Sequence, residues 1–436
     1  MTKLQTLADT VIMGSAWLRV ERPSLKSTRA RSGRHLALFA WELPPHSGAG
    51  VYRPLSFIRY GSLRGWDIDA FCGEAPNEGR AAGEELLARV PAAVRLHTLR
   101  RSSRQPSYRF FPRVDGGFTN AVTFARRAIA KLSTNPPDCV LASGPPFFVF
   151  VAALFVARHF RVPFVLDYRD EWTECPFIFV TKEGHDRVWE RRCLRNADAV
   201  LFTTRSHRKH QLATFPELHP RKAHLVPNGW EPDFFPPGTR ELEPASSDKA
   251  NTLCLAHVGT LAAHTAPDDF FASLDQLLTD EPEWRTRLSV QFVGRRSAVA
   301  EQAVRGFGHP DTLQIIGHVG KHDATRYMQA SDILLLIARP ELARYLPGKL
   351  FDYVAARRPI LVFGERGESS TVIEDLGVGV RCPAGSGTML RDALQRLRAL
   401  DMSRTAEPVG KWLDEHRRAV LGARAFEIME SAVTSR

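Results

Sequence analysis

One ten-residue segment, Tyr345-Leu346-Pro347-Gly348-Lys349-Leu350-Phe351-Asp352-Tyr353-Val354, carries a proline, a lysine and an aspartate at spacings that suit a phosphorylated ligand. Pro347 stands where a helix begins, because a missing N–H costs nothing in the first turn. The first amides of a helix lack partners within it, and the helix dipole adds to their pull on an anion. Lys349 brings a full positive charge into the same space. Asp352, three residues on, is close enough along the helix to accept hydrogen bonds from vicinal hydroxyls. A cation for a diphosphate beside an acid for a ribose is what a nucleotide requires. The same residues also fit an ordinary amphipathic helix with Lys349 and Asp352 paired on its surface.

Two further signals lie upstream, at Val258-Gly259-Thr260 and Val293-Gly294-Arg295. Each reads as a strand that turns on a glycine. Without a Cβ, the glycine lets a phosphate approach the main chain. Gly after a strand is also common turn chemistry, so neither is specific alone. No G-x-x-x-x-G-K-[ST] loop occurs, and no G-x-G-x-x-G follows the first strand of either half, which argues against P-loop and dinucleotide sites.

These turns need strands to hold them, and strand-like runs recur at regular intervals. They are expected at His35–Ala40, Asp67–Cys72, Ala93–Thr98, Cys139–Ala142, Pro163–Asp167, Ala199–Thr203 and His224–Val226. Helical patterns fill several gaps, at Phe118–Leu132, Phe147–Phe160 and His185–Arg195. The helix from Phe147 is apolar on most faces, which fits a buried core helix or one dipping into a membrane interface. After a Pro-rich stretch the rhythm restarts, with strands at Leu253–Val258, Leu288–Val293, Thr312–Ile316, Ile333–Ile337, Pro359–Phe363 and Val378–Arg381. Strands alternating with helices imply βαβ units and parallel sheets. The expected organisation is therefore α/β: a basic N-terminal arm (1–33), a Rossmann-like domain (34–235), a linker (236–250), a second Rossmann-like domain (251–404) and C-terminal helices (405–436). One option for those helices is a return to the first domain. Two such lobes predict a cleft between them as the ligand site.

Composition narrows the class. The chain has 436 residues, 44% hydrophobic and 25% charged, which excludes a disordered chain, a collagen-like repeat and a coiled coil. Six scattered cysteines with no C-x-x-C pair argue against a zinc cluster or a disulfide framework. No metal site is expected; Asp67-Ile68-Asp69 reads as an early strand. The longest apolar run, Phe147–Ala157, is too short to span a bilayer, and no signal peptide is apparent. The net charge of +11 is uneven: residues 1–240 carry 35 basic and 22 acidic side chains, and the remainder 24 and 26. A basic first half suits an anionic acceptor, anionic lipid or nucleic acid, though an arginine-rich coding bias would also produce it.

With these segments in order, the chain resembles the GT-B-fold glycosyltransferases, family 4-like (group 1). Pro347-Gly348-Lys349-Leu350-Phe351-Asp352-Tyr353 followed by Arg358-Pro359-Ile360-Leu361 is similar to that family's donor-site helix and the strand after it. Pro44 to Gly50 with Arg53 resembles its N-terminal glycine loop. Ala142-Ser143-Gly144-Pro145-Pro146, Asp167-Tyr168-Arg169-Asp170-Glu171-Trp172 and Val226-Pro227-Asn228-Gly229 resemble further signatures. The resemblance implies retaining transfer of a sugar from a nucleotide diphosphate donor, UDP- or GDP-linked, with no cofactor or metal. It implies donor contacts at Gly259, Thr260, Arg295, His318, Val319, Gly348, Lys349 and Asp352. It implies acceptor-side roles for Gly48, Gly50, Arg53 and Ser143, and catalytic roles for Lys349, Arg169 and Asp170. Arg169 and Asp170 would alternatively be an interior pair closing a loop. The family's usual pair of glutamates eight positions apart is replaced here by Arg344 and Asp352. The basic residue expected soon after the Gly259 turn is absent from Leu261-Ala262-Ala263-His264.

The resulting expectation is a metal-independent hexosyltransferase working in cell-surface polysaccharide or glycolipid biosynthesis. Its acceptor is a glycan or a lipid-linked molecule. Its place is the cytoplasm, with peripheral contact to an anionic membrane at the inner face. The alternatives are a nucleotide-sugar epimerase of the same fold and, on charge alone, a nucleic-acid-binding protein. The latter lacks any RNP, helix-turn-helix or zinc pattern, and no nucleic-acid partner is expected.

Overall fold

The computed structural model of the chain describes residues 34–76, 80–101, 112–235 and 252–435. The expected basic arm and linker lie outside the described residues. The chain divides into two compact units, one running to Pro227 and taking in Leu421 onward, the other Asn228–Val420.

The first unit is built on a seven-stranded parallel sheet in the order β3-β2-β1-β4-β5-β6-β7. Its strands are β1 (His35–Ala40), β2 (Asp67–Gly73), β3 (Arg95–Leu99), β4 (Cys139–Gly144), β5 (Phe164–Tyr168), β6 (Ala199–Phe202) and β7 (Ala223–Leu225). Every residue of β1, β4 and β5 is buried. This is why these strands read as continuous apolar runs: helices cover both faces of a parallel sheet. The helix Phe148–Phe160 keeps its residues from Phe148 through Ala157 buried. It is a core helix, and the interface-dipping alternative is corrected: no apolar face is left to insert. Asp67 and Asp69 do lie on a strand, where Asp69 accepts from buried His35 (2.8 Å), His97 (2.6 Å) and Arg95. The C-terminal helix Arg418–Thr434 contributes Leu421, Ala425, Phe426 and Met429 to this unit's core. Phe426 lies 5.3 Å from Trp66, ring to ring, and against Gly61, where a Cβ would come within 2.2 Å of it. Burying such a ring stabilises by about 1.5–3 kcal/mol.

The second unit repeats the architecture with six parallel strands, β8 (Leu253–Val258), β9 (Leu288–Val293), β10 (Leu313–Ile316), β11 (Ile333–Ala338), β12 (Ile360–Gly364) and β13 (Gly379–Cys382). Their order is β10-β9-β8-β11-β12-β13, with the chain reversing direction of growth after β10. In such sheets ligands gather at the carboxyl ends of the strands on either side of the reversal. No helix among the described residues is long and apolar enough to cross a membrane.

Candidate active site

The carboxyl ends of β8 and β9 carry Gly259 (φ +133°) and Gly294 (φ +134°). Both conformations belong to glycine. A Cβ on Gly294 would meet the Gly259 carbonyl oxygen at 2.5 Å, so the two turns can pack back to back only as glycines. Hydrogen bonds Gly259 N to Val293 O (2.8 Å) and Gly294 N to Ile316 O (3.1 Å) chain the ends of β8, β9 and β10 together. Against them stands the helix Gly348–Ala355, with Pro347 extended at its cap position. Tyr353 pins that helix to the end of β8: its hydroxyl accepts from Val258 N (2.8 Å) and lies 3.1 Å from Val258 O and 3.3 Å from Leu335 O.

One turn toward the helix start, the Lys349 ammonium lies 3.0 Å from His257 Nε2 and 3.5 Å from Thr260 O. A Cβ at Gly259 would sit 3.2 Å from Lys349 Nζ. Burial pulls the Lys349 amine down to about 7. Burial and the Lys349 charge likewise lower His264. Lys349 and Asp352 do not pair with each other, so the surface-pair alternative is set aside. Asp352 is buried and forms an ion pair with Lys321. Lys321 opens the helix after the Gly317–Gly320 loop, so exposed His318 and half-buried Val319 join the same corner. Arg295 follows Gly294, and among the described residues its side chain has no hydrogen-bond or ion-pair partner. Arg296 is engaged with Glu301 (2.8 Å) and the Gly294 carbonyl (3.2 Å). Beside Pro347 is a hollow lined by Ile337, Arg339, Ala343, Glu365 and Ser370.

The first-unit candidates divide differently. Arg53 is buried, with Nε and Nη2 on Asp167 (2.7–3.0 Å) and Nη1 on the Pro227 carbonyl (2.7 Å). Ser143 donates to the same carboxylate at 2.7 Å. Arg53 and Ser143 thus tie β4, β5 and the end of the unit together. The expectation of acceptor contact is corrected, since both side chains point inward with their partners in place. Arg169 binds three main-chain carbonyls, of Gly50, Gly144 and Pro145, with Glu42 at 4.0 Å. It clamps the glycine loop to the Gly144-Pro145-Pro146 loop and does not pair with Asp170 as an interior couple. Its expected catalytic role gives way to a supporting one. Gly50 is required by that clamp: a Cβ there would sit 1.9 Å from Glu42 Oε2 and 2.6 Å from Arg169 Nη1, whereas at Gly48 the nearest atom is 3.9 Å away. Asp170 is half-buried and has no hydrogen-bond partner among the described residues. Burial, opposed by Arg169, raises its carboxyl to about 6.

Residues 26–229 match the family model of the glycosyl transferase 4-like domain. That match takes in just under half of the chain, and the fold of the whole is that of the GT-B glycosyltransferases. It is similar to a D-inositol 3-phosphate glycosyltransferase of Geodermatophilus obscurus, 26% identical over 35% of this chain and 36% of that protein. The chain spans between about a third and about half of the length of the curated relatives it matches. Among solved structures, sucrose-phosphate synthase from Thermosynechococcus elongatus superposes with a TM-score of 0.70 at 13% identity, covering 92% of this chain and 100% of that one. Anabaena HepE in complex with UDP and glucose superposes with a TM-score of 0.66 at 12% identity, covering 91% and 99%.

Sequence reasoning missed His257, Lys321 and Tyr353, which hold Lys349, Asp352 and the Gly348–Ala355 helix. His257 hides inside the apolar run Leu253–Val258, where a single histidine reads as a core residue. Its signal was its distance of two from Gly259, on the last turn of the strand before the glycine. Asp167, missed as well, sits at the end of β5 next to the two residues that were singled out.

Proposed function

We propose that the protein moves a sugar from a nucleotide diphosphate sugar to an acceptor with retained anomeric configuration. The single observation that carries this reading is the Lys349 ammonium at the Gly259 turn, at a helix start and at the carboxyl ends of parallel strands. As the donor bond breaks, charge grows on the departing phosphate. Lys349, Arg295 and the first amides of the Gly348 helix form a ready-made set of donors for it. The protein's own cations supply this stabilisation, in keeping with a metal-independent transfer. The base lies along His318 and Val319, the ribose reaches the Asp352–Lys321 pair, and a hexose occupies the hollow at Arg339 and Glu365. The nucleotide is UDP or GDP; the UDP held by HepE favours the first.

On the first unit, Asp170 faces the acceptor hydroxyl, and the departing phosphate itself can take the proton. The positive first half suits an acceptor bearing phosphate, either a glycan intermediate or a lipid-linked one at the cytoplasmic face of a membrane. Exposed Ile178 and Phe179, near Lys182, suit contact with such a surface. Cell-surface polysaccharide or glycolipid synthesis is the corresponding setting.

The test is a thermal-shift series with UDP, GDP and their hexose conjugates. A ligand at a hundred times its Kd stabilises by about 2.7 kcal/mol. A shift with a nucleoside diphosphate, followed by acceptor-dependent consumption of the sugar nucleotide, supports the proposal. A folded protein with no shift at millimolar nucleotide sinks it, and turnover without acceptor makes it an epimerase.

A further inference from the structure

His257 occupies an unusual place for a histidine: it is 1% exposed, in the second-last position of β8, and meets a lysine. Its Nδ1 is 3.1 Å from the Leu335 carbonyl. A carbonyl oxygen can only accept, so Nδ1 is assigned the proton and Nε2 the lone pair, while the Thr260 carbonyl that also faces the ring lies 3.5 Å from Lys349 Nζ. That lone pair lies 3.0 Å from Lys349 Nζ. A neutral imidazole in this tautomer accepts from an ammonium without neutralising it. A carboxylate in the same place would form an ion pair and compete with any incoming phosphate. Burial, reinforced by the Lys349 charge, lowers His257 well below its ordinary value, which keeps it neutral. The Leu335 carbonyl that fixes the tautomer also lies 3.3 Å from the Tyr353 hydroxyl, so one β11 carbonyl registers both the acceptor and the helix that carries the lysine. The other ionisable groups turned toward this corner are His264 and, through it, Glu341 and Arg339.

We propose that His257 is a positioning residue, which holds the Lys349 ammonium at the Gly259 turn as an uncompensated cation for a nucleoside diphosphate. This rests on the donor-site reading above. It predicts a particular failure when the acceptor is removed. Lys349 would lose a hydrogen bond to its charged form, and its titration would move down by about one pH unit. Only the charged form serves the diphosphate. Nucleotide affinity should therefore fall about tenfold at pH 8, where the shift removes most of the remaining ammonium, and less than about twofold at pH 6.

The experiment uses the full chain as wild type, His257→Leu and His257→Gln, the last retaining an acceptor and a donor. The ionisation of Lys349 is read in the ligand-free protein from the pH dependence of acetic anhydride labelling of its peptide, by mass spectrometry. Binding of UDP and GDP is measured by calorimetry at pH 6 and pH 8. The proposal expects a lowered Lys349 titration and a pH-selective affinity loss in His257→Leu, with both restored in His257→Gln. It also expects no further affinity loss from His257→Leu in a Lys349→Met background. An unchanged Lys349 titration in folded His257→Leu, or equal affinity loss at both pH values, overturns it. If His257→Leu does not fold, His257→Gln carries the test: a Lys349 titration displaced by a full unit despite the retained acceptor overturns the proposal, and a wild-type profile supports it. Wild type that binds neither nucleotide at either pH overturns the donor-site reading, whereas the labelling result still judges the His257–Lys349 link.

Discussion

Two corners of the molecule have the same ingredients and different states of readiness. In each, a cation lies at the carboxyl end of parallel strands beside a loop that needs glycine. Arg169 of the first unit donates to the carbonyls of Gly50, Gly144 and Pro145, with the Glu42 carboxylate 4.0 Å away. Lys349 of the second meets one imidazole lone pair and one carbonyl at the limit of hydrogen-bond distance, so its charge is not cancelled. The acids invert the pattern: Asp352 is paired with Lys321, while Asp170 has no partner among the described residues. A residue type at a strand end is therefore not enough to name a catalytic group. What counts is whether its hydrogen-bonding capacity is already committed to the fold. By that measure the second unit offers a base-derived cation and the first an acid.

The sharpest break of this comparison is Lys349→Met set against Arg169→Met. The first should lower transfer by on the order of 10²–10³ without lowering Tm, since a half-buried, poorly solvated charge is removed. The second should destabilise the first unit, by about 3 kcal/mol, because three carbonyls lose charged donors. Steady-state rates and thermal melts on both variants decide it; a Lys349→Met protein that loses Tm but keeps its rate would reverse the assignment.

Asp170→Asn comes next, with an expected loss on the order of tenfold in kcat at pH 7. The sign follows from the direction of each shift. The Asp170 carboxyl, raised to about 6, becomes a carboxylate as pH rises through that value, so activity climbs on the acid side. The Lys349 amine, lowered to about 7, loses its proton as pH rises further, so donor binding falls on the alkaline side. A pH–rate profile with its maximum between about 6 and 7, losing the acid limb in Asp170→Asn, is the expected result. An unchanged acid limb in the variant removes Asp170 from the mechanism.

The smallest effect tests the clamp itself. Gly50→Ala should cost about 1–3 kcal/mol because its Cβ must displace Glu42 or Arg169, while Gly48→Ala should stay within about 0.5 kcal/mol. Equal denaturation midpoints for the two variants would mean that the clamp does not constrain the loop.

Much of this was legible from the sequence where the signal is local. Leu253–Val258 and Leu288–Val293 were expected with the bounds they have, because each apolar run is closed by a glycine whose backbone angle marks the strand end. The grouping of Pro347, Lys349 and Asp352 on one helix start was legible for the same reason: the three sit within six residues. Arg53 and Arg169 misled because their partners lie far along the chain, Asp167 for one and Gly50 for the other, and nothing local reports that an arginine's donors are taken. The helices Tyr52–Leu63 and Gly387–Arg398 were not expected. The first carries Pro54 and Gly61 inside it, and the burial of its apolar face against β2 overrides that weak propensity. His257 shows the opposite difficulty, a polar residue whose work is done entirely inside a strand that looked apolar.

The stretch from Leu421 returns to the unit that holds β1, so the first unit is completed only when the helix Arg418–Thr434 has been made. Phe426 is the plug between Gly61 and Trp66. A ribosome making this protein thus leaves the early half with an open seam until that helix has emerged. Truncating the final helix should harm the half of the molecule that is distant in sequence more than the half it directly follows.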